Sequence, residues 1–105
     1  MEAVVPQMLT AGAGRIVGVA SVAGYRGLPG SEAYNAGKAA LISLLESLRG
    51  SLAPRGIVVQ TVNPGFVTTR MTDRNRFPMP FKVPVDAAAR TIADGIARDL
   101  SLIHI

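Results

Sequence analysis

Two short β-branched runs frame a periodic segment in this chain. Residues 15 to 20, R-I-V-G-V-A, and 57 to 62, I-V-V-Q-T-V, are almost continuously apolar, the pattern of strands buried on both faces. Between them Leu41, Leu45, Leu48 and Leu52 fall at i, i+4, i+7 and i+11, the stripe of an amphipathic helix over residues 31 to 53. Gly50 offers an earlier end, but Leu52 continues the stripe, so the helix is placed up to Ala53, before Pro54 and Gly56. Strand, loop, helix, strand in this order predicts an α/β fold built on a βαβ unit, with parallel strands and a right-handed crossover.

The connections are as telling as the elements. After Ser21, at the end of the first strand, S-V-A-G-Y-R-G-L-P-G holds three glycines and a proline and reads as a loop. The second strand stops at N-P-G, where Pro64 and Gly65 enforce a turn. Residues 66 to 84 carry three prolines and no sustained period, so they form a long connection of the kind that often binds ligands. The spacing Val85, Ala89, Ile92, Ile96 marks a second helix, with Asp86 in its first turn.

Both ends of the chain stand apart from this pattern. Residues 1 to 9 look like the last turns of a helix that begins upstream, and a βαβ unit with two open sheet edges is a poor independent fold. Residues 100 to 105, L-S-L-I-H-I, equal the translation of CTG-TCT-CTT-ATA-CAC-ATC, a transposon-end adapter. They are expected to be read-through rather than native protein, with no chemistry at His104; an ordinary strand-like apolar tail is the alternative. Different codons in the encoding DNA would remove the adapter reading.

Composition narrows the function. The chain has 105 residues, enough for one small domain, with 49% apolar and 17% charged residues, which is core material. The formal charge is +4, but the basic residues are scattered among acidic ones, unlike a nucleic-acid footprint. With no cysteine and one histidine there is neither a disulfide framework nor a protein zinc site. No apolar run nears the roughly 18 residues of a membrane span, and the start lacks a signal-peptide pattern. The expectation is a soluble protein, with the cytoplasm as default.

Candidate chemistry centres on Y-N-A-G-K. Residues four apart on a helix share a face with Cβ atoms roughly 6 Å apart, so Tyr34 and Lys38 bring their polar ends together. An ammonium beside a phenol favours the phenolate, which is what a proton-transfer group needs. Ser21 lies at the carboxyl end of a parallel strand, where α/β folds place ligand crevices. Its hydroxyl can hydrogen-bond a substrate carbonyl. The next strand ends at the same edge with N-P-G-F-V-T-T, where the turn and the hydroxyls of Thr68 and Thr69 suit an amide or a phosphate.

The stretch G-R-I-V-G-V-A-S-V-A-G-Y-R-G-L-P-G-S-E-A-Y-N-A-G-K-A-A-L, followed by R-G-I-V-V-Q-T-V-N-P-G-F-V-T-T, resembles the second half of a short-chain dehydrogenase/reductase. That family has a Tyr-x-x-x-Lys motif with a serine thirteen positions before the tyrosine, matched by Ser21, and a Pro-Gly turn after the next strand, matched by Pro64 and Gly65. The likeness covers about residues 1 to 99 and implies part of an NAD(P)-binding Rossmann-type domain, a doubly wound parallel sheet between two helical layers.

The resemblance implies roles for these residues. Tyr34 would be the general acid/base and Ser21 the donor to the substrate oxygen. Lys38 would favour the phenolate and bind the nicotinamide ribose hydroxyls, with Tyr34 also at the cofactor. Val67 backbone groups and Thr69 would hold the nicotinamide carboxamide, and Pro64 and Gly65 would shape that turn. The reaction would be hydride transfer between NAD or NADP and a small carbonyl or secondary alcohol.

The family's glycine-rich TGxxxGxG loop, its N-A-G motif and its catalytic asparagine are not in this sequence. Nor is the residue that selects NAD or NADP, and Gly37 stands where serine is frequent. The chain is therefore expected to be an inactive fragment of a homodimeric or homotetrameric parent, paired through the helix at 31 to 53. Two rivals stay open: a non-catalytic interaction module, and the same fold running an epimerisation or dehydration.

Overall fold

A computed structural model describes residues 3–65, the backbone of residues 67–68, and residues 83–105. Helix α1 (Val5–Ala11) leads through Gly12 into strand β1 (Gly14–Val19). A short 3-10 turn (Val22–Gly24) precedes the long helix α2 (Glu32–Leu52). A second 3-10 turn (Ala53–Arg55) leads to β2 (Ile57–Asn63). Strands β3 (Val67–Thr68) and β4 (Val83–Pro84), helix α3 (Val85–Ala97) and strand β5 (Leu102–His104) complete the described elements.

The main sheet has the order β1-β2-β5 and is parallel throughout. Gly14 to Val19 pair with Ile57 to Val62 in parallel, the direction that the strand, helix, strand order predicts. The connection expected over residues 66 to 84 begins and ends in a two-stranded parallel pair, Val67 with Val83 and Thr68 with Pro84. Residue 66 and the stretch 69–82, which includes Thr69, Met71, Met79 and Phe81, lie outside the described residues.

Helices cover both faces of the sheet, which makes the fold Rossmann-type in architecture. On one face Leu45 and Leu52 of α2 pack with Ile57 and Val59, and Val5, Met8 and Leu9 of α1 and Leu41 and Leu48 of α2 close around them. Burying a leucine fully contributes about 1.5–3 kcal/mol, so this stripe fixes where α2 lies. Gly56, at φ 82°, makes the left-handed turn between α2 and β2.

The other face is held by a polar knot. Gln60 is fully buried; its Nε2 donates to the carbonyls of Gly95 at 3.2 Å and Leu100 at 2.9 Å, and its Oε1 accepts from Arg15 at 2.6 Å. Arg15 also donates to the Ile96 carbonyl at 3.0 Å and pairs with Asp99 at 2.6 Å. A guanidinium at the carboxyl end of α3 suits the helix dipole, although the Arg15–Asp99 pair is exposed and worth little by itself.

The tail expected to be adapter read-through supplies β5. Its alternation sends Ile103, 3% exposed, toward α3 beside Val62, where Gly95 leaves room for it, and pairs Thr61 to Asn63 with Leu102 to His104. Any hexapeptide with this alternation meets the same geometric demand, so the strand and the codon question are independent.

Replacing Gln60 with leucine takes the donor from the Leu100 carbonyl and removes one hydrogen bond each from the Gly95 carbonyl and the Arg15 guanidinium, which keep their other partners. Chemical denaturation should show Gln60→Leu less stable by about 1–3 kcal/mol; an unchanged midpoint would mean that the knot contributes nothing net.

Candidate active site

Helix α2 continues past the sheet. Its 21 residues span roughly 31 Å at about 1.5 Å each, against roughly 23 Å for β2 at about 3.3 Å per residue. Because α2 ends beside the start of β2, the excess rises beyond the carboxyl edge of the strands. The lines that pack below, Leu48–Leu41 and Leu52–Leu45, run on at seven-residue steps to Tyr34 and Lys38. The core stripe thus aims these two side chains over the sheet edge.

Tyr34 is 56% exposed and Lys38 half-buried. The Lys38 ammonium lies over the Tyr34 ring, 5.6 Å from its centroid, a cation–π contact with the ring face. The two side chains share one helix face, but they meet at the ring rather than through the polar ends that the sequence pairs.

Ser21 begins the 3-10 turn. Its Oγ accepts from the Ala23 amide at 3.1 Å, which leaves the hydroxyl hydrogen free to be donated. The Ala20 amide donates to the Val62 carbonyl at 2.8 Å and the Val22 amide to the Pro64 carbonyl at 3.2 Å, so the Ser21 segment is laced to the end of β2. Gly24 lets the turn reach α2: a Cβ there would stand 2.7 Å from Ile42 Cδ1, 2.9 Å from the Lys38 carbonyl carbon and 3.0 Å from the Ala39 nitrogen. Ser21, Tyr34, Lys38, Pro64 and Gly65 thus gather at one end of the sheet. Val67 follows in β3, and Thr69 lies outside the described residues.

Three residues escaped the sequence reading. Asn35, 5% exposed, donates from Nδ2 to the Ala23 carbonyl and accepts at Oδ1 from the Leu28 amide, both at 2.9 Å. Asn63 Nδ2 donates to the Tyr25 hydroxyl at 2.7 Å, and that hydroxyl is 2.6 Å from His104 Nε2. His104, expected to be inert, therefore touches this network because β5 ends beside β2. The available signals were slight: Asn35 lies seven positions before Ile42, and Asn63 directly precedes the Pro-Gly turn.

A groove of about 550 Å³ runs between the turn and α2, lined in part by Tyr25, Leu28, Pro29 and Glu32; Ser21, Tyr34 and Lys38 are not in its wall. Among the described residues no group of three histidine, cysteine or acidic side chains could hold a metal, and no helix is long and apolar enough to cross a membrane.

The family model described as short chain dehydrogenase matches residues 1–78. The chain belongs to the short-chain dehydrogenase family. An uncharacterized oxidoreductase of Myxococcus xanthus is 45% identical over 98 residues, 93% of this chain and 39% of its own length. A 3-oxoacyl-[acyl-carrier-protein] reductase FabG of Rickettsia conorii is 48% identical over 61 residues, 58% of this chain and 25% of its own. Among solved structures, a short-chain dehydrogenase from Sphingobium yanoikuyae in complex with NADPH matches with TM-score 0.87 and 30% identity, over 98% of this chain and 41% of that one. The chain spans about two-fifths of the length of such relatives.

Within this short-chain dehydrogenase chain the Gly24 seat against α2 leaves no room for a side chain. Gly24→Ala should lower stability by about 1–3 kcal/mol through overpacking, whereas Gly27→Ala, with nothing within 4 Å, should be near neutral. Gly37→Ala, also in open space on α2, should add about 1 kcal/mol of helix propensity. Thermal melts of the three variants check the order.

Proposed function

We propose that this chain is the proton-transfer part, the second half, of an NAD(P)-dependent dehydrogenase or reductase acting on a small carbonyl or secondary alcohol. The observation that carries the reading is the convergence of Ser21, Tyr34 and Lys38 at one sheet edge, with the Ser21 turn seated on the Lys38 backbone through Gly24. The Sphingobium neighbour is described with NADPH, and a xylitol dehydrogenase that is 42% identical over 70% of this chain is described with NAD+. These descriptions support a nicotinamide cofactor without choosing between the two forms.

The residues present fit such a group. Lys38 is engaged with the Tyr34 ring face, a weak contact it can exchange for ribose hydroxyls. The backbone of the turn at Pro64 and Gly65, and of Val67, would take the carboxamide; Thr69, expected to share that role, lies outside the described residues. When bound, the nicotinamide supplies or accepts the hydride. Ser21 donates its free hydroxyl hydrogen to the substrate oxygen and holds it in place. Tyr34 then gives that oxygen a proton, or removes one in the reverse direction, while the Lys38 ammonium offsets the charge left on the phenol.

The 105-residue chain lacks a glycine-rich phosphate loop in its sequence and is inactive on this reading. Titration of NADH or NADPH with this chain should give no fluorescence enhancement, and a clear enhancement would sink the inactive-fragment reading. An enzyme extended upstream to the full open reading frame should oxidise or reduce members of a panel of ketones and secondary alcohols. Tyr34→Phe in that enzyme should lower turnover by about 10²-fold or more. Turnover that survives the substitution would remove Tyr34 from proton transfer.

A further inference from the structure

An amide at the carboxyl end of β2 is buried with one atom unpaired. Asn63 is 0% exposed; its Nδ2 donates to the Tyr25 hydroxyl at 2.7 Å, and its Oδ1 has no hydrogen-bond partner among the described residues. A buried carbonyl oxygen without a donor costs stability, and an apolar side chain of similar shape would avoid that cost. What the amide adds at this position is its bond to Tyr25.

Tyr25 closes the turn that Ser21 opens. The Tyr25 amide donates to the Val22 carbonyl at 3.1 Å and the Gly24 amide to the Ser21 carbonyl at 3.0 Å. Asn63 therefore holds the far end of the turn from the sheet. Asn35, the residue after Tyr34, holds its middle from α2 through the Ala23 carbonyl, and the following loop through the Leu28 amide. The near end of the turn is already laced to β2 through the Ala20 and Val22 amides, and these two tethers, from separate layers, fix its middle and far end as well.

We propose that Asn63, acting through Tyr25, and Asn35, acting on Ala23 and Leu28, are paired positioning residues that set the Ser21 hydroxyl relative to Tyr34. The proposal rests on the reading of Ser21 and Tyr34 as the groups that handle the substrate oxygen. Tyr25 suits the linkage because a phenol on two side-chain torsions transmits a displacement at its hydroxyl to the backbone with little slack. His104 meets the same hydroxyl from an exposed position, so it serves as the control.

Amide hydrogen exchange on the 105-residue chain tests the tethers without any activity. Asn63→Leu and Tyr25→Phe should each speed exchange of the Ala23, Gly24 and Tyr25 amides about tenfold, the equivalent of one hydrogen bond. The β2 amides should stay protected, and the double variant should add nothing further. Additive effects, a uniform loss of protection across β1 and β2, or release of the turn by His104→Ala instead would overturn the proposal. Tyr25→Phe keeps the ring and its packing, so it decides the matter if Asn63→Leu fails to fold.

In the extended enzyme Tyr25→Phe should lower kcat tenfold or more, since displacing a reacting group by about 1 Å costs up to about 10²-fold, with the cofactor KM unchanged. A released turn with unaltered kcat would overturn the positioning role. No turnover by the unsubstituted enzyme would count against the proton-transfer reading and leave the exchange result to judge the tethers.

Discussion

The packing of one leucine stripe sets everything above it. Leu45 and Leu52, with Leu41 and Leu48 beside them, seat α2 on Ile57 and Val59, and a rigid helix has no freedom left once two lines of its surface are committed to a sheet. Its rotation and its height follow, and with them the direction of Tyr34 and Lys38 two turns further up. The site is placed by core burial first. Polar contacts then refine a position that hydrophobic packing has already chosen.

Buried polar groups do that refining, and they divide by role. Gln60 has both ends of its amide satisfied and ties β1, β2 and the end of α3 into one body. Asn35 is likewise satisfied, but its partners belong to a loop rather than to the sheet. Asn63 is the odd member, with one end unpaired among the described residues. A fully paired amide is explained by stability alone, whereas an incompletely paired one next to a candidate site calls for a reason beyond stability.

What the sequence conveys follows from periodicity. The β-branched runs mark the two strands to within a residue or so, though not the register that pairs Gly14–Val19 with Ile57–Val62, and the leucine spacing gives α2 nearly to its ends. Ser21, Tyr34 and Lys38 stand out as candidates in the sequence because their spacing spans only one turn and one helix. The tethers were not, because Asn63 and Tyr25 are 38 residues apart and meet only when strand and turn are laced together. The β5 strand was obscured for another reason: a short alternating tail satisfies a sheet edge whatever its origin, so pattern alone cannot assign it. Val67 and Val83 pair across a long interval in the chain, a contact that no local period announces.

The contact between Lys38 and Tyr34 carries a last consequence for chemistry. Helical spacing alone brings an ammonium to the ring face, because the lysine stem and the phenol leave neighbouring points on one surface and run outward side by side. Such a contact contributes about 0.5–1 kcal/mol at an exposed site, less than the roughly 1.5–3 kcal/mol of a hydrogen bond to a charged group. Lys38 is therefore held near its partner without being locked to it. A stronger ion pair would fix the ammonium and keep it from a ligand, and a longer spacing would lose the phenol altogether. The four-residue step on α2 sits between these limits, and on the proposed reading that intermediate strength lets one lysine serve both the phenol and a bound ribose.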